Sequence, residues 1–239
     1  MSPDGPVPLL SIVIPAFNEA GRLPATLAAI DAFFRRRGAI EIIVVDDGST
    51  DETAAAAAGR PGVVLIRNPV NSGKGHSVRR GVLAARGERI LICDADGSTP
   101  IGEVEKLGAA LDAGADVAIG SRDLPESVIS PRQPRVRRIV AGLLRAARRR
   151  RLLPEIRDTQ CGFKLFRRAV AHEVFGGQTL TGWLFDCEVL ALAAERGCRI
   201  VEVGVRWAND RSSRVRLLGD LAKTWREYRY LVRRFGRRG

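Results

Sequence analysis

Short, mostly apolar runs alternate with helix-like stretches through the first half of this sequence. The apolar runs occupy residues 9–15, 39–45, 62–68, 88–96 and 116–122, and helix-like patterns occupy 24–37, 50–58, 73–87 and 100–114. Strands covered on both faces are apolar at most positions, so the alternation predicts an α/β fold with a mainly parallel sheet flanked by helices. With 239 residues, 45% of them hydrophobic, the chain can bury such a core and is not intrinsically disordered.

Polar clusters follow four of the predicted strands at the point where each strand ends. They occupy residues 17–19, 46–50, 94–98 and 120–122. Ligands of open parallel sheets bind beyond the carboxyl ends of the strands. We therefore expect the four clusters to converge on one cleft.

The second half of the chain is strongly basic. Residues 121–239 hold 27 of the 39 Lys and Arg residues but only 12 of the 27 Asp and Glu residues. The patterns predict, in chain order, a mobile loop at 123–134, a basic amphipathic helix at 135–151, a polar loop and strand at 156–168, a helix at 184–197, a strand at 199–207 and a second basic helix at 215–235. Within one continuous domain, we expect residues 1–122 to bind a nucleotide-type ligand and residues 123–239 an anionic partner.

Several classes of protein are excluded by the same sequence. No apolar run approaches the roughly 18–20 residues of a membrane-spanning helix, and the first ten residues do not have the pattern of a secretory signal. The four cysteines, Cys93, Cys161, Cys187 and Cys198, are far apart and are expected to be reduced thiols of a cytoplasmic protein. A nucleophilic Ser/His/Asp or Cys/His set is poorly supported, since the chain has only two histidines.

Two acidic pairs at strand ends carry the first chemical predictions. Asp94 and Asp96 can present carboxylates to Mg²⁺ or Mn²⁺, which prefer oxygen ligands and are often shared with substrate phosphates. Asp46 and Asp47 can accept hydrogen bonds from a nucleobase or a ribose. A helix cap at Ser49 or Thr50 is the simpler interpretation of residues 46–53, but it leaves both acids unexplained.

Residues 71–77 resemble a phosphate-binding loop without its required spacing. The GxxxxGK[ST] pattern is absent, and no GxGxxG pattern follows the first strand. Lys74, just before a predicted helix, can still neutralise a diphosphate. His76 is as well explained as an ordinary packed or surface residue.

Seven segments together resemble a known family. LSIVIPAFNE (10–19), VVDDGSTD (44–51), GKGHSVRRG (73–81), DADGST (94–99) and AIGSR (118–122) are similar to family 2 glycosyltransferases of the Rossmann-like GT-A fold. RDTQCGFKLF (157–166) and WLFDCEVL (183–190) resemble the dolichyl-phosphate and polyprenyl-phosphate β-glucosyltransferases within that family. The resemblance extends from about Leu9 to about Tyr230, with RDTQCGFKLF as its most specific segment.

The resemblance implies a UDP-sugar donor, a divalent cation and inversion at the anomeric carbon. Asp94 and Asp96 match the family's DxD motif, with Asp96 as the expected direct metal ligand. The remaining expected donor-binding residues are Pro15, Ala16, Glu19, Asp46, Asp47, Lys74 and Ala95. Glucose from UDP-glucose would then be transferred to a polyprenyl phosphate, a dolichyl-like lipid.

A phosphate acceptor is already ionised near neutral pH and needs positioning more than a general base. Arginine positions phosphate through bidentate contacts, and the candidates are Arg122, Arg135, Arg137 and Arg138. Asp186 matches the position of a catalytic-base carboxylate in other family members. For a phosphate acceptor it is expected to orient the sugar instead, and an ordinary carboxylate at a helix start is the alternative.

Relative to the similar eukaryotic enzymes, the sequence is expected to lack their N-terminal membrane anchor, and it has an arginine-rich segment at 135–153. Basic amphipathic helices can lie on an anionic membrane, which predicts a peripheral protein at the cytoplasmic face. Solvated basic faces on helices that pack against the core are the alternative.

Other functions remain open at this point. The same fold can transfer another sugar, such as mannose from GDP-mannose, or use a soluble acceptor. A basic nucleic-acid-binding module is a remote alternative, because the aromatic residues form no stacking pattern with arginine and the acidic strand ends repel phosphates. We expect no nucleic-acid partner.

Overall fold

A seven-stranded sheet forms the centre of the protein. The computed structural model describes residues 7–130, 151–208 and 221–236. The strands of this sheet are β1 (Leu10–Ala16), β2 (Ile40–Asp46), β3 (Val63–Arg67), β4 (Arg89–Ile92), β5 (Val117–Ser121), β7 (Lys164–Arg167) and β8 (Ile200–Gly204). Their spatial order is β3-β2-β1-β4-β7-β5-β8. Only β7 is antiparallel to its neighbours within this sheet, which confirms the predicted mainly parallel α/β fold.

Helices cover both faces of the sheet. They are α1 (Leu23–Phe34), α2 (Thr53–Ala57), α3 (Lys74–Ala84), α4 (Val104–Asp112), α5 (Arg168–Gly176), α6 (Phe185–Glu195) and α7 (Leu221–Phe235), with a 3₁₀ turn at Ile101–Glu103 before α4. Alternate residues of β1 enter the two halves of the core: Val13 packs in the cluster with α3, while Ile12 and Ile14 pack in the cluster with α1 and α4. This alternation is why the central strands are apolar on both sides.

The antiparallel strand β7 joins the two halves of the sequence. It lies between β4 and β5, pairing Leu91 with Leu165 on one side and Ala118 with Leu165 on the other. Residues after position 122 therefore complete the sheet that residues before it begin. Both sides of the predicted division at residue 122 therefore belong to one sheet. The different roles expected of the two sides stay a prediction.

Two predicted segments differ from the structure. The strand predicted at 199–207 is interrupted at Val205: β8 ends at Gly204, and Arg206–Ala208 forms β9, which pairs in parallel with β6 (Val128–Ser130) in a separate two-stranded sheet. The loop predicted at 123–134 thus contains a short strand. Val205, where the chain passes from one sheet to the other, is fully buried, and its carbonyl accepts from the Val128 N–H. Because this residue is apolar and buried like those of a continuous strand, the hydrophobic pattern does not indicate the break.

The structure describes only part of the two segments in which basic helices were predicted. The predicted helix at 135–151, with Arg135, Arg137 and Arg138, lies almost entirely outside the described residues. Of the segment 215–235, the structure describes α7. Within the described ranges, no helix combines the length and apolar character needed to cross a membrane.

Candidate active site

The polar clusters after β1 and β2 contact each other at the carboxyl edge of the sheet, and helix α1 bonds to the loop after β4. The N–H of Asn18 donates to Oγ of Ser49 (2.9 Å), and Oδ1 of Asn18 accepts from the N–H of Thr50 (2.9 Å). Oγ1 of Thr26 donates to the carbonyl of Ala95 (2.8 Å). Asn18 has a φ of 55°, a left-handed conformation that asparagine tolerates better than most residues.

These contacts correct the capping interpretation of residues 46–53. Helix α2 begins only at Thr53, and it is Asp51, through Oδ1, that accepts the N–H of Thr53 (3.0 Å). Ser49 and Thr50 instead form hydrogen bonds with Asn18, in the polar cluster that follows β1. Capping patterns predict local bonds and gave no indication of this contact, which joins residues more than 30 positions apart.

The loop after β4 presents Asp94 and Asp96. Gly97 has a φ of 64° and reverses the chain so that both acids lie in one tight turn, residues 94–98, which is called the acidic turn below. Oδ1 of Asp96 accepts the N–H of Ser98 (2.9 Å), while Oδ1 of Asp94 lies 2.6 Å from Nζ of Lys74. Asp94 and Asp96 therefore have different surroundings: Asp94 has a cationic partner, and Asp96 is held by a backbone N–H.

Lys74 is the first residue of α3 and its ammonium group lies among carboxylates. Burial alone would lower the pKa of Lys74, but the carboxylates of Asp94, Asp186 and Asp96 raise it above the ordinary value. Nζ also lies 5.6 Å from the centre of the Trp183 ring. The lysine is thus charged and positioned beside the acidic turn, as expected of a group that neutralises a diphosphate.

The side-chain oxygens of this turn are suitable ligands for a hard divalent cation. Two carboxylates in one turn, Asp94 and Asp96, supply oxygen ligands of the kind that Mg²⁺ and Mn²⁺ prefer, with substrate phosphates filling the remaining positions. Within residues 7–130, 151–208 and 221–236, no group of three or more His, Cys, Asp and Glu side chains could hold a metal by itself. The metal site predicted from sequence is therefore one that the protein would share with a ligand.

Asp46 and Asp47 have internal partners. The buried Asp47 accepts from Nδ2 of Asn68 (2.6 Å) and from the N–H groups of Ser72 (3.0 Å) and Gly73 (2.9 Å). Asp46, fully buried, accepts from the N–H of Ser49 (3.1 Å) and from Nε of Arg67 (3.3 Å). Asp47 thus holds the loop that leads into α3 and its lysine, and the predicted contact with a nucleoside stays a prediction.

The remaining residues predicted to bind the donor lie along β1 and just after it. Pro15 and Ala16 belong to the buried strand, and the Ala16 carbonyl accepts the N–H of Asp47 (2.8 Å). Glu19 makes a two-point contact with Arg22, including a 2.6 Å bond to Nε. Burial raises the pKa of Glu19, although Arg22 opposes the shift.

Asp186 lies in the first turn of helix α6 and pairs with a buried lysine that the sequence analysis missed. Nζ of Lys164, on β7, lies 2.6 Å from Oδ1 of Asp186 and also donates to the Cys161 carbonyl. Burial raises the pKa of Asp186, and the ammonium groups of Lys164 and Lys74 oppose the shift. Asp94, Lys74, Asp186 and Lys164 thus form a group of alternating charges at one end of the sheet.

Arg122 makes a two-point ion pair with Asp158, another residue that the sequence analysis did not single out. Nε and Nη2 of Arg122 donate to Oδ2 (2.6 Å) and Oδ1 (2.9 Å) of Asp158, and the Arg122 N–H donates to Oδ2 as well (3.0 Å). Burial alone would raise the pKa of Asp158, but Arg122 lowers it to about 2. Two of the three guanidinium nitrogens thus bond to Asp158, and the predicted contact of Arg122 with an acceptor phosphate stays a prediction.

The segment from Thr179 to Leu184 leads into α6 and contacts both the start of α3 and helix α7. The Thr181 carbonyl accepts the N–H of Gly75 (2.9 Å), and Oε2 of the buried Glu227, on α7, accepts the N–H of Leu184 (3.3 Å). Trp183, in the same segment, is 41% exposed beside Lys74. The C-terminal helix therefore packs directly against the segment that borders the acidic turn.

The four cysteines are free thiols, as expected from their spacing. Burial raises the pKa of Cys161 to about 11 and raises that of Cys93 as well, so both remain protonated near neutral pH. Neither is suited to act as a nucleophile.

Comparison with known sequences extends the description of the site. Residues 11–175 match the profile of the family described as glycosyl transferase family 2. A dolichyl-phosphate beta-glucosyltransferase of Drosophila melanogaster is 36% identical over 260 residues, which cover 96% of this chain and 77% of that protein. The Homo sapiens protein of the same description is 34% identical over 230 residues, covering 89% of this chain and 71% of that protein.

Comparison with solved structures identifies the fold. Glucosyl-3-phosphoglycerate synthase from Mycobacterium tuberculosis, crystallised with Mn²⁺ and UDP-glucose, superposes with a TM-score of 0.68 at 24% sequence identity. The match covers 94% of this chain and 78% of that one. At this identity the likeness concerns the arrangement of strands and helices.

Proposed function

The chain belongs to glycosyl transferase family 2, and on that premise we propose that it transfers glucose from UDP-glucose to a polyprenyl phosphate, with inversion at the anomeric carbon. One observation carries the proposal. The carboxylates of Asp94 and Asp96 share the carboxyl edge of the sheet with the ammonium group of Lys74, in a chain that is similar to dolichyl-phosphate beta-glucosyltransferases over most of its length.

The reaction replaces one phosphate ester by another. An oxygen of the acceptor phosphate attacks the anomeric carbon of glucose, the bond from that carbon to the diphosphate breaks, and UDP leaves with the electron pair. Attack from the side opposite the leaving group converts an α-linked donor into a β-linked product. A phosphate monoester has a second pKa near 6 and is largely ionised at neutral pH, so the nucleophile needs no strong base.

The residues at the acidic turn handle the leaving group. A divalent cation, Mg²⁺ or Mn²⁺, would be held by Asp94 and Asp96 and would supply Lewis-acid stabilisation of the diphosphate. Lys74 lies 2.6 Å from Asp94 and would neutralise a further part of the negative charge on UDP. Support for the cation comes from the two carboxylates themselves and from the structural neighbour crystallised with Mn²⁺ and UDP-glucose.

Asp186 and Arg122 are proposed to orient the substrates. Because the Asp186 carboxylate is already paired with Lys164, we assign it to hydrogen bonding with the sugar and not to proton abstraction. Arg122 is fixed by Asp158 and would direct Nη1 at the acceptor phosphate. In this assignment Asp186, from the second half of the chain, contacts the donor sugar, and Arg122, at the boundary between the two halves, contacts the acceptor.

The exposed face of α7 supports contact with a membrane. Trp225 is 62% exposed, and Arg226, Arg229 and Arg233 are exposed along the same helix, while its one acidic residue, Glu227, faces inward. Arginine attracts anionic lipids, and tryptophan is favoured at the interface between headgroups and hydrocarbon. We therefore propose that the protein binds peripherally to an anionic membrane at the cytoplasmic face, where the lipid acceptor is present.

Transfer of labelled glucose into a lipid product tests the proposal. The protein is incubated with UDP-glucose or GDP-mannose, a divalent cation and either a short-chain polyprenyl phosphate or a water-soluble phosphate monoester. The expected product is an organic-extractable polyprenyl-phosphate glucose formed only from UDP-glucose, with a β linkage by NMR. Transfer from GDP-mannose, or only to the soluble acceptor, would contradict the proposed donor or the proposed acceptor respectively.

A further inference from the structure

The ion pair between Lys74 and Asp94 lies where the divalent cation is proposed to bind. Nζ of Lys74 is 2.6 Å from Oδ1 of Asp94, and both side chains are partly withdrawn from solvent, where charges interact more strongly than in water. A cation approaching Asp94 therefore meets an ammonium group already in contact with the carboxylate.

The surroundings of Lys74 leave Asp94 as its closest partner. Asp186, the next carboxylate to influence the lysine, has its own ammonium partner, since Nζ of Lys164 lies 2.6 Å from its Oδ1. Asp96 influences the lysine more weakly and accepts the N–H of Ser98. The Trp183 ring, with its centre 5.6 Å from Nζ, borders the same group without offering a competing charge. Lys74 is thus bound chiefly to the acidic turn.

We propose that Lys74 is a built-in counter-ion that withholds Asp94 from a divalent cation until a diphosphate draws the ammonium group away. This inference rests on the proposed function, because the diphosphate is that of the nucleotide donor. No covalent bond changes: the ammonium exchanges one anionic partner for another, and the cation takes the released carboxylate together with phosphate oxygens. Cation and nucleotide then bind cooperatively, and the free enzyme has low affinity for the cation.

Cooperativity of this kind has a reciprocal signature. If UDP raises the affinity for Mn²⁺ by some factor, Mn²⁺ must raise the affinity for UDP by the same factor. A purely electrostatic effect of Lys74 would change Mn²⁺ affinity about equally with and without UDP. An exchange of partners instead requires that loss of the lysine tighten Mn²⁺ binding mainly in the absence of UDP. The ratio of the two Mn²⁺ affinities therefore distinguishes the mechanisms.

The test is a titration with Mn²⁺, followed by EPR of the free ion, with and without saturating UDP. The variants are Lys74→Met, which removes the charge, and Lys74→Arg, which keeps it. Lys106→Met is the matched control, since Lys106 forms a 2.6 Å ion pair with Glu103 away from the acidic turn. Thermal unfolding checks each fold, and Lys74→Gln replaces the methionine variant if that variant does not fold.

For the wild-type protein we expect UDP to tighten Mn²⁺ binding by about 10-fold or more, within the range usual for coupled sites. In Lys74→Met, Mn²⁺ alone should bind about 10-fold more tightly than to wild type, and the effect of UDP should shrink by about the same factor, leaving the part that comes from coordination of Mn²⁺ by the phosphates. The Lys74→Arg and Lys106→Met variants should keep the wild-type coupling. An unchanged effect of UDP in Lys74→Met would overturn the inference while leaving the proposed function intact. A wild-type protein that binds neither UDP nor Mn²⁺ would overturn both.

Discussion

Gly162 lies against the carboxylate of Asp94 so closely that a β-carbon on the glycine would overlap both carboxylate oxygens. Gly162 belongs to the segment 157–166, the most specific part of the family resemblance, whereas Asp94 belongs to the acidic turn after β4. The glycine is therefore required by the position of a proposed metal ligand. The two halves of the sequence meet at this contact.

Replacing Gly162 by alanine should displace Asp94 and impair catalysis. A displacement of about 1 Å in a catalytic constellation can reduce activity by about 100-fold, and we expect kcat/KM to fall by that order. Gly176→Ala is the control, because a β-carbon there would meet no described part of the protein within 4 Å apart from its own helix and chain neighbours. Steady-state kinetics of both variants make the comparison, and a Gly162→Ala enzyme as active as Gly176→Ala would refute the assigned role of Asp94.

The buried pair of Lys164 and Asp186 predicts that Asp186 does not act as a general base. An Asp186→Asn variant should have a lower kcat, because the substrate is positioned less well, but should retain the wild-type pH dependence of kcat/KM. Measurement of that profile from acid to neutral pH decides the question. Loss of an acidic limb in the variant would identify Asp186 as the base after all.

The same pair predicts a large effect on stability. Lys164→Met leaves the Asp186 carboxylate buried without its closest cation, which typically costs about 3–5 kcal/mol in the free energy of unfolding. The double variant Lys164→Met/Asp186→Asn should recover part of that loss, as urea denaturation would measure. A double variant no more stable than Lys164→Met alone would show that the lost stability comes from packing.

The ion pair of Arg122 and Asp158 predicts a specific dependence of stability on pH. The pKa of Asp158 is lowered from 3.8 to about 2, so its stabilising contribution is complete above about pH 4 and is lost as the pH falls towards 2. That shift corresponds to about 2 kcal/mol, and Asp158→Asn should lower the free energy of unfolding at pH 7 by at least this amount.

The comparison is made by urea denaturation of wild type and Asp158→Asn at several pH values. The difference in free energy of unfolding between them should narrow as the pH falls below about 4. A difference that stays constant over that range would mean that the ionised pair is not its source.

The exposed face of α7 predicts salt-sensitive binding to anionic vesicles. Reversal of two charges in Arg226→Glu/Arg229→Glu should weaken binding to vesicles containing phosphatidylglycerol by about 10-fold or more, since each basic residue near the surface contributes about 1 kcal/mol. Arg35→Glu/Arg36→Glu, at two exposed residues in the turn just after α1, is the matched control. Equal losses in the two double variants would indicate non-specific attraction by net charge.

The sequence patterns predicted the strands more reliably than their directions. The run at 9–15 became β1 at Leu10–Ala16, and the run at 39–45 became β2 at Ile40–Asp46, because burial on both faces leaves a clear apolar signature. The antiparallel direction of β7 leaves no such signature. It depends on how the segment 157–166 crosses the end of the sheet, which is a long-range property of the fold.

Several residues that the structure brings together at the candidate site were singled out from the sequence, but most of their contacts were not, and their roles stay predictions. The motifs led directly to Lys74, Asp94, Asp96 and Asp186, and the family resemblance they carried is confirmed. The partners Lys164 and Asp158 were missed, because they lie 22 and 36 positions from Asp186 and Arg122 and join them only in the folded chain. Local spacing carries no record of such pairs.

The most direct test of the proposed function is the release of UDP from UDP-glucose, measured with and without a short-chain polyprenyl phosphate and with and without Mg²⁺ or Mn²⁺. The Asp96→Ala variant removes the expected metal ligand, and Asp112→Asn, altered at a carboxylate paired with Arg89 at the end of α4, is the control. We expect release that requires both acceptor and cation, is lost in Asp96→Ala and is retained in Asp112→Asn. Release that ignores the lipid acceptor, or that survives in Asp96→Ala, would contradict the proposed function.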